Sequence, residues 1–437
     1  LLLGVISGLC LSACSSDDSG DSFEDSYVQF YNGAANSKST TITLTRNDEE
    51  TNLGAATYGD VVSSYGAEPG SYQYTLSYTD ESGEDIVISS DSISLSQSYK
   101  TILMLSGDYD NPVVTPMVFK RQDIDELQLY ITNISTKPYP IEVFVAETGA
   151  ELTEDNLIGI LTDEEVISSE LLPVEDYTVY IKNADTNEIV FESESIPLDY
   201  SIEYAFVIKD SFGPSDSKLS IDVISNSTIV DNYDDLDALA QYRIYNAEAD
   251  FEDLNVEVLG KTPQIIENLD ANELTEYFEV EFGDYQLKLL DQNNQVLTQN
   301  RLLTLNQNES KTLVFYRDEA LNYNALSFEQ SVLPSSYQHE FNIINFINDY
   351  DALQVYFIQD DETIESTNDF VKALTFAKSK SYVINADQVT ILLVNEDSLG
   401  QKTLLSRLDD VKLADYANLV LVANEAPAAI GGYELKL

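Results

Sequence analysis

The sequence predicts an all-β protein built as four sandwich units in tandem, and three observations carry that reading. A five-residue phrase ending in Asn recurs four times: Val28–Asn32, Leu129–Asn133, Tyr242–Asn246 and Phe341–Asn345. Ten and twelve residues past each Asn lie Ile42 and Leu44, Val143 and Val145, Val256 and Val258, Val355 and Phe357. All of these positions are apolar without a gap, as expected for strand residues on one face of a sheet. A second phrase, a small or acidic residue before Tyr and an alternating strand, recurs at Gly70–Leu76, Glu175–Ile181 and Gly283–Leu289. The fourth copy is degenerate, with Val389 in place of Tyr.

Before the repeats, the chain opens with an apolar stretch, Leu1 to Ala13, that is too short to span a bilayer as a helix, which needs about 20 residues. It reads as the core of an export signal, here truncated at its start. Leu11-Ser12-Ala13-Cys14 resembles a bacterial lipobox, which makes Cys14 the lipidated first residue of the mature protein. Ser15 after that cysteine favours the outer membrane over retention at the inner one. Residues 14–26, rich in Ser and Asp, read as a solvated tether. The four units are then expected at 27–121, 125–229, 239–332 and 339–437.

Within each unit, alternation as in Thr41-Ile42-Thr43-Leu44 marks strands with one wet face. Runs such as Ile102–Leu105 and Tyr204–Ile208 add further strands, and Val113–Phe119 and Leu219–Ile224 read as closing ones. About seven short strands per hundred residues predicts an immunoglobulin-like sandwich. Short helical turns are expected near Asp163–Ser168, Asn272–Tyr277 and Phe370–Ala377. The links, near Gln122–Glu126, Val230–Ala238 and Leu333–Gln338, are short, which predicts a semi-rigid rod.

The two phrases together resemble the domain-of-unknown-function family 4397, a family of β-sandwich repeats in bacterial secreted proteins and lipoproteins. Asn32, Asn133, Asn246 and Asn345 match its strand-ending Asn, and Gly70 to Tyr72 and Gly283 to Tyr285 match its Gly-x-Tyr strand start. The resemblance implies a sandwich fold and an envelope location, and no catalytic residues. The Ser-Pro usual after the first strand is missing in every copy.

Composition narrows the function further. With 77 acidic against 22 basic residues the formal charge is −55, so nucleic acid is excluded as a partner and electrostatic binding to anionic lipid surfaces is disfavoured. Both cysteines, Cys10 and Cys14, lie in the export region, which leaves no cysteine for a disulfide, metal site or nucleophile in the repeats. The lone histidine, His339, reads as a solvated link residue, and without a second one a zinc site is not expected.

The repeated Asn residues are expected to bond their own turns, and Tyr72, Tyr177 and Tyr285 to bond nearby backbone at sandwich corners. The acidic run Asp231, Asp234, Asp235, Asp237 is the candidate calcium site, since that ion takes six to eight oxygen ligands. Acidic clusters at Asp108–Asn111 and Asp123–Glu126 lie near the first joint. Without a matching Asp-x-Asp-x-Asp-Gly loop, a solvated face is the plainer expectation.

These features predict a non-catalytic, lipid-anchored envelope module that engages a protein or a polysaccharide and has no resident cofactor. The alternative is a calcium- or carbohydrate-dependent adhesive protein.

Overall fold

The computed structural model describes residues 25–80, 83–162, 165–225, 228–247, 253–318, 320–334, 339–359, 362–386, 388–413, 419–429 and 431–437. Among the described residues its regular structure is strand, apart from the short 3₁₀ turn Glu154–Asn156 and a 3₁₀ position at Leu413. The first unit contains β1 (Ser26–Asn32), β2 (Thr40–Arg46), β3 (Glu49–Ala56), β4 (Tyr65–Ala67), β5 (Gly70–Thr79), β6 (Asp85–Leu95), β7 (Tyr99–Ser106) and β8 (Val113–Lys120). They form two four-stranded sheets, ordered β4-β1-β7-β8 and β3-β2-β5-β6.

The same wiring repeats. The second unit has β9 (Gln128–Asn133), β10 (Ile141–Glu147), β11 (Leu157–Leu161), β12 (Val166–Ser168), β13 (Asp176–Asn183), β14 (Glu188–Glu192), β15 (Ile196–Pro197), β16 (Glu203–Asp210), β17 (Leu219–Ile224) and β18 (Val230–Asp234). The third has β19 (Ala240–Asn246), β20 (Leu254–Leu259), β21 (Gln264–Leu269), β22 (Phe278–Val280), β23 (Gly283–Leu290), β24 (Val296–Leu305), β25 (Ser310–Arg317) and β26 (Tyr323–Glu329). The fourth has β27 (His339–Asn345), β28 (Leu353–Ile358), β29 (Phe370–Leu374), β30 (Ser379–Ile384), β31 (Gln388–Glu396), β32 (Lys402–Lys412), β33 (Leu419–Glu425) and β34 (Tyr433–Lys436). In every unit the first strand pairs in parallel with the strand that follows the second sheet: β1 with β7, β9 with β16, β19 with β25, β27 with β33.

Among the described residues, units one, three and four have eight strands and the second has ten, against an expected seven or so. Other expectations are corrected. Val166–Ser168 and Phe370–Leu374 are strands, and Asn272–Tyr277 carries no helix. β18 pairs with β17, so the second unit runs past residue 229 into the segment read as a link. His339 is buried, 3% exposed, and opens β27 opposite Ile384, instead of standing in solvent.

Each unit has its own core, because strand alternation sends one set of side chains between its two sheets. The sheet holding the parallel pair is also buried on its other face. In β7, Leu103 and Leu105 point into the first core, while Ile102 and Met104 point out. In β16, Tyr204, Phe206 and Ile208 fill the second core, while Ala205 and Val207 meet Tyr31, Ile102 and Met104 of the first unit. Stacked Phe119 and Tyr130, with centroids 4.6 Å apart, extend this contact. Units three and four join the same way, through Tyr245, Val314 and Tyr316 against Ile344, Phe346, Val420 and Val422. The four units are therefore joined as two welded pairs.

The joint between the pairs is polar. Leu239 N donates to Pro214 O at 2.8 Å, and Asn308 N to Leu239 O at 2.8 Å. The Gln307 amide reaches Asp235 O at 3.0 Å and Leu236 O at 2.7 Å. Gly213 lies close here: a Cβ on it would sit 1.7 Å from Asn308 Oδ1, so the Asn308 side chain would have to shift.

Lys100 lies on the outward face of β7, 1% exposed, with its ammonium 5.9 Å from the Phe119 ring centre. Burial and the nearby Arg121 charge lower its pKa to about 8, against a smaller opposing pull from Glu203 of the second unit. Its folded pKa lies below its unfolded one, so the unfolded chain binds more protons between them and stability rises with pH. Stability is expected to climb from about pH 8 to 10, before the buried tyrosines titrate, and a Lys100→Met variant should be more stable at pH 7 and lose that climb. Denaturant unfolding across this range reads both, and an identical pH profile in the two proteins would contradict it.

Candidate functional site

At the seam between the first two units, a charged network occupies the outward face of β16 and β17. In β17, Leu219, Ile221 and Val223 fill the core, so Asp222 points outward with Ser220 and Ile224. Lys209 Nζ bonds Asp222 Oδ2 at 2.7 Å, and their side chains are 9% and 1% exposed. Tyr31 from the first unit donates to the same oxygen at 2.7 Å, and Asn232 of β18 donates to Oδ1 at 2.7 Å. Three donors on one buried carboxylate make the seam specific as well as apolar. Burial and Asp222 together hold the Tyr31 hydroxyl well above the usual tyrosine range.

The loop between β3 and β4 covers this network. Gly59, at φ 79°, holds a left-handed conformation that glycine adopts without a Cβ clash, and its Cβ position lies 3.5 Å from Lys209 Nζ. Beside it the Tyr58 ring stands 4.8 Å from that ammonium and its hydroxyl donates to Asp210 O at 3.2 Å. Tyr58 and Phe212 meet edge-on at 6.5 Å.

Next to these groups is a cavity of about 170 Å³, lined by residues of three units. Tyr58 comes from the first, Lys209 to Gly213, Ser220, Asn232 and Asp234 from the second, and Asn308 and Val332 from the third, with Leu333 of the link that follows. Burial raises the Asp234 carboxyl, with Asp222 and Asp235 adding to the effect and Asn308 and Lys209 opposing it. Asn308 Oδ1 is buried without a hydrogen-bond partner.

The candidate calcium residues do not converge. Asp231 and Asp234 alternate along β18 and so take opposite faces. Asp235 is buried, facing Ser215 Oγ at 3.4 Å and accepting from Asp237 N at 3.2 Å, while Asp237 is exposed. Among the described residues no group of three or more His, Cys, Asp or Glu is placed to hold a metal ion.

Three of the repeated Asn residues are buried stitches between sheets, while Asn133 bonds Ser135 of its own turn. Asn32 donates to Ala56 O at 3.0 Å, Asn246 to Asp270 O at 3.1 Å and Asn345 to Leu374 O at 3.1 Å, each beyond the third strand of its unit or at its end. Asn32, Asn133 and Asn345 also accept from the backbone N–H two residues on. None of the four has a positive φ. Tyr72, Tyr177 and Tyr285 donate to carbonyls four residues upstream, Glu68, Pro173 and Glu281, at 2.9, 2.8 and 2.5 Å. This is the bond of a tyrosine corner. Leu11, Ser12, Ala13 and Cys14 lie outside the described residues.

The sequence reading missed Tyr31, Tyr58, Lys209, Phe212 and Asp222. Asp222 had a signal, as a lone carboxylate inside the apolar strand Leu219–Ile224.

No protein-family model and no curated protein matches the chain. Among solved structures it is similar to the Bacillus anthracis TIE protein, at 9% identity over 91% of this chain and 67% of that one, with a TM-score of 0.17. It is also similar to a candidate adhesin from Bacteroides ovatus, at 11% identity over 48% of this chain and 95% of that one, TM-score 0.14. A candidate cell adhesion protein from Bacteroides fragilis gives 10% identity over 45% of this chain and 84% of that one, TM-score 0.13. Scores this low leave function to the geometry of the chain itself.

Removing one member of a buried ion pair strands the other, at roughly 3–5 kcal/mol. Lys209→Ala should therefore destabilise the first pair of units by about that amount, and Tyr31→Phe, which deletes one bond to a charged group, by about 1.5–3 kcal/mol. Denaturant unfolding measures both, and changes below ~0.5 kcal/mol in each would mean the network does not hold the seam.

Proposed function

We propose that this chain is a non-catalytic interaction module of the bacterial cell envelope, held at the outer membrane through a lipid on Cys14. The observation that carries the reading is the welding of four sandwiches into two pairs through buried sheet faces. Such an architecture commits its apolar surface to holding units in fixed relation, which suits presentation of binding surfaces at a distance from a tether. Surplus negative charge keeps the exposed faces soluble and monomeric.

A non-catalytic role is supported by the chemistry present. The only histidine of the sequence opens a buried strand of the fourth unit. The one ion pair with both side chains below a tenth exposed among those observed is engaged in holding two units together, with Tyr31 and Asn232 on its carboxylate.

Anchoring is supported by Leu11-Ser12-Ala13-Cys14 followed by a Ser/Asp stretch. Among the described residues no helix is long and apolar enough to cross a membrane. Membership in the family that the Asn and Gly-x-Tyr phrases resemble belongs to the same proposal. The partner is a protein or an envelope polysaccharide.

In the native host, the unaltered protein should fractionate with membranes and incorporate labelled palmitate, while Cys14→Ser should appear in the soluble fraction without label. A Cys14→Ser protein that stays tightly membrane-bound would contradict the anchor.

A further inference from the structure

We infer that the cavity at the junction of the first three units binds a single neutral sugar residue. The inference deepens the proposed binding role by naming its ligand class.

Size limits the occupant. About 170 Å³ holds five or six waters at ~30 Å³ each, the space of one six-membered ring with its hydroxyls. Drug-sized ligands occupy roughly 300–1,000 Å³, so an extended oligomer would lie mostly outside.

Charge removes anions. The described walls carry Asp210 and Asp234 against Lys209, whose charge is already engaged by Asp222, while Lys218 Nζ donates to Gly213 O at 2.7 Å. A phosphate, a sulfate or a uronic acid would thus face the carboxylates of Asp210, Asp222 and Asp234 against the ammonium groups of Lys209 and Lys218.

The remaining walls suit a neutral polyol. Ser211, Ser220, Asn232 and Asn308 supply hydroxyls and amides, which both donate and accept, as sugar hydroxyls do. Tyr58 and Phe212 give an aromatic corner, and Leu333, 41% exposed, an apolar rim, against which the C–H face of a pyranose can lie. Because the walls come from three units, an occupied site also ties the polar joint between the two pairs.

The test is saturation-transfer NMR on the purified chain with the methyl glycosides of glucose, galactose, mannose and N-acetylglucosamine. Methylammonium and inorganic phosphate serve as charged controls. At least one glycoside should bind with a millimolar Kd, weakened about tenfold in Phe212→Ala and abolished in Leu333→Trp, which fills the rim without touching the buried network. Asp234→Asn should leave the glycoside Kd within about threefold, since it preserves shape and hydrogen bonding.

The proposal is overturned if none of the four glycosides binds, if binding persists unchanged in Phe212→Ala and Leu333→Trp, or if only methylammonium or phosphate binds. Failure of the anchor would appear in fractionation of Cys14→Ser and leaves this measurement untouched.

Discussion

The rest of the structure depends on one constraint: the sheet that contains the parallel pair is apolar on both faces and must be covered twice. Inside each unit the second sheet covers one face. The other is covered only by the corresponding face of a neighbouring unit, as Ile102 and Met104 are by Ala205 and Val207. A four-unit chain satisfies this with two pairings, and two apolar seams are found among the described residues. At about 25 cal/mol per Å² of apolar surface removed from water, a seam built on Met, Ile, Val and Tyr is a stability term that a separate unit lacks.

That burial explains the chemistry found there. Lys100, Lys209 and Asp222 lie in low dielectric because their strand positions face a neighbour and not because a catalytic pocket shields them. Lys209 and Asp222 answer the cost by pairing at 2.7 Å with Tyr31 and Asn232 as further donors. The joint between the two pairs is of another kind, made of backbone bonds and the Gln307 amide. The cavity sits at that polar joint, where the three units leave a space lined by polar groups.

Much of the fold was legible in the sequence because the repeat is written in residues that do the same job four times. Alternating strands such as Thr40–Arg46 have one wet face, and period two reveals it. The Asn phrase recurs because Asn32, Asn246 and Asn345 stitch a first strand to the third-strand side and Asn133 closes its own turn, and the Tyr phrase because each hydroxyl closes a corner. Pairing of units was written too, in runs such as Ile102–Leu105 that do not alternate, but an apolar run does not say what covers it. Val166–Ser168 and Phe370–Leu374 were too short for their period to decide between helix and strand. His339 looked like a link residue because Gln338 and Glu340 flank it, yet Glu340 is the exposed member of an alternating strand start. The site was least legible. Its residues come from three units, and one informative aspartate stood among 77 acidic residues.

The most direct test of the paired architecture is scanning calorimetry of the whole chain, resolved into cooperative transitions. Two transitions are expected, one for each welded pair, because units that share a buried seam unfold together. Four separable transitions, each matching an isolated unit, would contradict the claim that the sheet faces bind the sandwiches in twos.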